Sequence, residues 1–263
     1  MKKIFLNIGK SIQDQSSDLG KSAFKNIGSF VSSIWEGFHP PYKYYFSEFV
    51  YFSSSSGVNA FGIVAITSAV AGVTSSYLIA EEVRRAGVGA EFMGGGVTQM
   101  LVTQLVPILV GLVVAGRTGS AITASIGSMK ITEQIEALKS ISTDPIQFLF
   151  FPRLLGLMIA LPCLTVLGCI MGNIAGYLAA ERVLHLSWST WTFSILDLFE
   201  IEKLYHSIYK SVVFGAIITI VSFYQGWTVH QSSEELSRRI QIGVVGSMTF
   251  ILIANLIMTV LVF

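Results

Sequence analysis

The chain has 263 residues, 52% of them hydrophobic and only 13% charged, with a mean hydropathy of +0.65 and a formal net charge of +1. Soluble domains carry roughly a quarter of their residues as Asp, Glu, Lys or Arg, so this composition excludes an ordinary soluble fold. A balance so near neutral also gives no bulk attraction for nucleic acid.

Residues 1 to 40 space Ile4, Ile8 and Ile12, then Leu19, Ala23, Ile27, Phe30, Ile34 and Phe38, with Lys2, Lys3, Lys10, Lys21 and Lys25 between them. An apolar stripe backed by lysines predicts a helix lying in the membrane surface, or one packed on a soluble partner. The apolar positions are interrupted too often for a cleavable signal peptide. His39-Pro40-Pro41 ends this element, and the aromatic stretch PYKYYFSEFVYF follows, a composition suited to the interface.

Apolar runs long enough to span a bilayer fall at about 58–80, 97–116, 154–180, 211–229 and 242–263. The expected fold is therefore an all-α polytopic membrane protein: an N-terminal interfacial helix region over 1–56, then five spans over 57–263. The first span is rich in Gly, Ala, Ser and Thr, which favours close helix approach. Cys163 and Cys169 share the third span and point to different faces, as small apolar side chains would. The longest polar connection, 181–209, carries Trp188 and Trp191 and reads as an interface-hugging segment.

Lys and Arg set the orientation. The N-terminal arm holds six lysines, counting Lys43, and the 117–153 connection holds Arg117, Lys130, Lys139 and Arg153. The 181–209 connection has only Arg182 and Lys203. The N-terminus and residues 117–153 are expected in the cytoplasm, 181–209 outside, and with five spans the C-terminus outside. Arg84 and Arg85 on the outer side run against this pattern.

The second span runs directly into VAGRTGSAITASIGSMKITEQIEALKSISTDPIQF, residues 114–148. Its small residues, Gly116, Gly119 and Gly127 among them, suit close packing between helices or between subunits. A helix from 97 to 128 would be about 48 Å long, against a hydrocarbon core of about 30 Å. Its end must project or tilt. Next, Ile131, Ile135 and Leu138 make an apolar stripe while Lys130, Glu133, Glu136 and Lys139 lie elsewhere, and Asp144-Pro145 stops the pattern. This predicts a short amphipathic helix between the second and third spans, either a connector in the headgroups or a helix that docks into a motor subunit.

The segment AGRTGSAITASIGSMKITEQIEALKSISTDPIQFLFFPR resembles the signature of the MlaE/YrbE permeases, the membrane subunits of ABC transporters that work with Mce-domain proteins in lipid trafficking. AGR and GSA, G-x-M-x-x-TEQ-x-x-AL, DP and PR occur in that order, and the likeness runs through LP at 161–162 and KSVVFG at 210–215. It covers about residues 57 to 263. The resemblance implies a homodimer in a bacterial inner membrane that binds two cytoplasmic ATPases through the TEQ-containing helix. It further implies an Mce assembly on the outer face and a lipid cavity at the dimer centre. On this basis Arg117, Lys130, Glu133, Gln134, Glu136 and Leu138 are the expected coupling residues. ATP and Mg belong to the partner, and the chain itself is not an enzyme. Phospholipid is the expected cargo. Two departures stand out. Thr103 and Gln104 occupy positions where an Arg-Glu pair is common in the family, and Ser125 stands where a Glu is usual.

Other functions find little support in the residues. Gly9-Lys10-Ser11 and Gly20-Lys21-Ser22 mimic a phosphate-binding loop, but its first glycine would be Ile4 or Gln15. His39, His185, His206 and His230 are isolated at expected interfaces, with no metal-type spacing, which argues against lipid chemistry in this chain. An ATP-independent carrier or a scaffold is the alternative, but no internal repeat or deep carboxylate supports a carrier. Polar residues on the spans are the candidates for a lipid pathway: Lys210 above all, as a phosphate contact or a side chain snorkelling to the interface, then Thr103 and Gln104, then Tyr77 and Tyr224. Arg117 is expected to anchor the inner end of the second span or to contact the ATPase.

Overall fold

The computed structural model describes residues 45–86, 92–141, 144–229 and 232–262; the N-terminal surface helix and both Gly-Lys-Ser sequences lie outside them. The described residues form α1 (Tyr45–Ala86), α2 (Met93–Ile131), α3 (Gln134–Ser140), α4 (Pro145–Leu184), α5 (Trp188–Leu198), α6 (Ile201–Trp227) and α7 (Ser233–Val262). Five of these, α1, α2, α4, α6 and α7, are long and apolar enough to cross a membrane. No strand occurs among the described residues. The all-α, five-span expectation holds.

The spans outrun their apolar runs. At 39 residues, α2 is about 58 Å long, so it exceeds the bilayer core as anticipated. α1 begins at Tyr45, so the expected boundary at 56/57 falls within a helix and the aromatic stretch from Tyr45 onward is its first turns. α4 passes unbroken through Pro152 and Pro162. Each proline deprives a carbonyl one turn back of its donor.

Small residues determine how the helices meet. Water exclusion does not drive helices together inside a bilayer, so close backbone contact must. α1 presents Ser68, Gly72 and Ser76, and α4 presents Gly168, Gly172 and Gly176, each set spaced by four. Ser76 Oγ donates to the Gly176 carbonyl at 2.8 Å, and a Cβ built on Gly72 would run into the Gly172 carbonyl. α2 forms the centre of the bundle, with Val97, Leu101, Val106, Val110 and Val114 almost wholly buried.

The 181–209 connection is mostly helical. α4 extends to Leu184 and α6 starts at Ile201, leaving α5 between them. Ser187 caps α5 through Thr190 N–H. α5 folds back on the start of α2, where Gly95 N–H donates to Ser194 Oγ at 2.9 Å and a Cβ on Gly95 would lie 2.6 Å from the Ser194 carbonyl. Trp188 is 54% exposed, but Trp191 is buried against Gly94. Of the two tryptophans expected at the interface, Trp191 is a core residue, because Gly94 has no side chain where the indole packs. Arg84, out of pattern for orientation, donates to the Val183 carbonyl at 3.2 Å, serving the open C-terminal end of α4. Cys163 is exposed and Cys169 buried, on different faces as expected.

Candidate functional site

A polar cluster forms where α2, α6 and α7 meet, and its origin lies in the sequence of α2. The carbonyl of Thr103 would receive the N–H four residues on, but that residue is Pro107, which has none. The helix answers with a π turn over Leu101–Leu105, in which Val106 N–H reaches back to the Leu101 carbonyl. Such bulges recur at functional positions. Lys210, nine residues into α6, fills the vacancy: its Nζ donates to the Thr103 carbonyl at 3.1 Å and to Thr259 Oγ1 of α7 at 3.0 Å. Gln104 lies 3.4 Å from the same Thr259 hydroxyl through both amide atoms, one as donor and one as acceptor. Thr103 Oγ1 turns back to the Gln99 carbonyl at 2.7 Å.

Lys210 is only 3% exposed. It does not snorkel, and its two hydrogen-bond partners are neutral oxygens. No carboxylate lies within ion-pair range of it among the described residues. An ammonium within a membrane bundle is expensive unless paired, and marks function by default. One helical turn from the cluster, Ser207 Oγ on α6 and Asn255 Oδ1 on α7 are buried without a hydrogen-bond partner among the described residues. The site therefore combines an uncancelled positive charge with spare polar groups.

Three of the five expected pathway residues, Thr103, Gln104 and Lys210, converge here. Tyr77 stands apart, 53% exposed on α1. Tyr224 also stands apart, packed against the aromatic cluster of Phe150 and Phe223 at the opposite end of the bundle. Thr259 escaped the sequence reading. Asn255 and Thr259, four apart on an otherwise apolar helix, were the signal that would have found it, together with a proline four residues after Thr103.

At that opposite end, α2 continues to Ile131 and breaks at Thr132-Glu133, where Glu133 takes a left-handed φ of 57°. Glu133 heads α3 through its carbonyl, which receives Glu136 and Ala137 N–H. The amphipathic helix is thus only seven residues long, Gln134–Ser140. Lys130 belongs to the last turn of α2, not to α3. Ile135 is fully buried and Leu138 packs beside it on Phe150 and Phe223, while Glu133, Gln134 and Glu136 face outward. Arg117 is exposed within a second π turn, Ala115–Gly119, partway along α2. The helix runs on beyond it to Ile131. Arg153 donates to the Leu149 carbonyl at 2.6 Å and to Ser125 Oγ at 3.4 Å.

The three small-residue positions pack within the chain. A Cβ on Gly119 would sit 2.9 Å from Ser222 Oγ of α6, one on Gly127 would collide with Leu236 of α7, and one on Gly116 would touch Met248 of α7 at 3.5 Å. Among the described residues no cluster of His, Cys, Asp and Glu could hold a metal ion.

A comparison with protein families matches residues 49–261 to the family described as Permease MlaE. The chain belongs to the MlaE permease family. It is 32% identical to a probable ABC transporter permease protein of Rickettsia bellii across 99% of both chains. It is also 30% identical to a probable ABC transporter permease protein of Synechocystis across 79% of this chain and 78% of that one. The intermembrane phospholipid transport system permease protein MlaE of Haemophilus influenzae is 25% identical across 97% of this chain and 96% of its own. This MlaE-family permease is thus a multi-pass membrane protein whose span arrangement and polar cluster lie within the matched region.

Proposed function

We propose that this chain is the membrane subunit of an ABC transporter that moves phospholipid or a related lipid between a bacterial inner membrane and a periplasmic Mce-domain partner. In this reading two copies pair, and two cytoplasmic ATPases dock on α3. The polar cluster around Lys210 then lies in the outer half of the bundle, and its ammonium is a contact for the lipid phosphate. The observation that carries the reading is the buried, charge-unpaired Lys210 in a chain of the permease family. A phosphate would supply the missing negative charge and accept from the remaining N–H of the ammonium.

Glu133, Gln134 and Glu136, exposed on a helix whose other face is plugged by Ile135 into the bundle, are suited to contact a motor and pass its movement inward. Affinity purification from native membranes in mild detergent, with mass spectrometry of everything retained, tests the assembly. Recovery of an ATPase, an Mce-domain protein and phospholipid is the expected result. Recovery of this chain alone in several detergents would refute it.

A further inference from the structure

Trp227 ends α6, at a position that no motif singles out. Two ammonium groups lie over its indole ring, Lys130 Nζ at 5.6 Å and Lys139 Nζ at 5.9 Å from the ring centroid. Both lie within the range at which a cation is drawn to the ring quadrupole, for which indole is the best acceptor. Lys130 belongs to the last turn of α2 and Lys139 to the last turn of α3. One ring therefore gathers the ends of three helices. Behind it, Trp227 stacks on Phe223 with centroids 5.7 Å apart and planes at 19°, and Phe223 meets Phe150 of α4 edge-on at 5.1 Å. Phe223 and Phe150 are completely buried.

α3 needs such an anchor. It has seven residues, too few to be stable alone, and it joins α2 through Thr132 and the left-handed Glu133. Its direction is set by what it packs on: Ile135 and Leu138 hold its inner face, and Lys139 is the contact at its far end. Long lysine side chains ordinarily extend into water. Two of them converging on one indole, from either side of the α2–α3 break, bridge that break.

We propose that Trp227 is a positioning residue for the motor interface. By clasping Lys130 and Lys139 it fixes the angle of α3, and through Phe223 and Phe150 it passes displacement of α3 to α6 and α4. This rests on the reading of α3 as the ATPase dock.

The test uses the complex as it copurifies, reconstituted in vesicles of phosphatidylethanolamine and phosphatidylglycerol, with a fluorescent phospholipid as cargo. The readouts are ATPase retained per permease and lipid moved per ATP hydrolysed. Trp227→Ala is expected to retain the ATPase and lower lipid moved per ATP about fivefold, equivalent to about 1 kcal/mol. The paired variant Lys130→Gln with Lys139→Gln, which leaves the indole and its packing intact, should show a comparable fall. Lys130→Arg with Lys139→Arg, which keeps both cations, should restore it. Wild-type coupling in the paired Gln variant would overturn the clasp and leave α3 as a dock. Loss of the ATPase from that variant would also overturn it, by making the lysines direct motor contacts. A wild-type complex that retains no ATPase would overturn the docking reading itself, and the clasp with it.

Discussion

Replacing Lys210 by Met separates two opposed contributions at the polar cluster. The substitution leaves the Thr103 carbonyl without the donor now 3.1 Å away, and Pro107 has no N–H to take its place. An orphaned buried acceptor costs about 1–3 kcal/mol. Removing an ammonium from the bundle interior relieves a penalty of about 2.5–3.5 kcal/mol on insertion scales. The two oppose each other, so Lys210→Met alone should fold and shift stability by no more than about 2.5 kcal/mol. The informative experiment is a double-mutant cycle with Pro107→Ala. Alanine restores an N–H at position 107, so in that background the Thr103 carbonyl keeps a donor when Lys210 is lost. The desolvation contribution is common to both arms and cancels. A coupling energy of at least about 1 kcal/mol is expected, read as a thermal shift of the detergent-purified complex at about 2–4 °C per kcal/mol. Additivity within about 0.5 kcal/mol would refute the claim that Lys210 replaces the donor missing from Pro107. Lipid transport should fall in both Lys210→Met backgrounds, because neither restores the positive charge.

Three further outcomes follow from local geometry. Gly72→Ala drives a methyl into the Gly172 carbonyl, whereas Gly62 has nothing within 4 Å of its built Cβ; the first should lose about 1–3 kcal/mol by thermal unfolding and the second should lose nothing. Glu133→Gly relieves a left-handed residue at φ 57° and should raise stability by up to about 1 kcal/mol, while copurified ATPase falls with loss of the carboxylate; a drop in melting temperature would refute the strain argument. Ile135→Asp sets a carboxylate in a fully buried socket and should release α3, seen as rapid hydrogen exchange over 134–140 with α1 and α4 still protected; unchanged protection there would show that α3 is held by something else.

The spans were legible because their apolar runs are long and nearly free of charge. The start of the first was not, since a helix continues past its apolar run at no cost that composition records, as at Tyr45. α5 was missed as an element because its anchoring is tertiary: Ser194 is polar in sequence yet buried by the glycines at 94 and 95. The polar cluster was half legible. Thr103, Gln104 and Lys210 each stood out as polar residues on spans, but periodicity within one helix says nothing about which helices meet. The break after Ile131 had no signal either, because Glu is an unusual residue for a left-handed turn and the apolar stripe passes through it. Trp227 looked like an ordinary aromatic at a helix end; the lysines that make it distinctive lie nearly one hundred positions earlier.

Thr259 lies near the end of α7, which follows the other four described spans in the chain. Through the synthesis and insertion of α1 to α6, the Lys210 ammonium has the Thr103 carbonyl but not yet this hydroxyl. Docking of α7 completes the coordination and shields the charge from the surrounding lipid. α7 presents Phe250, Leu256 and Val260 outward, so its polar contacts with Gln104 and Lys210 fix the register in which it settles. A copy in which α7 has not found its seat leaves the Lys210 ammonium one hydrogen bond short.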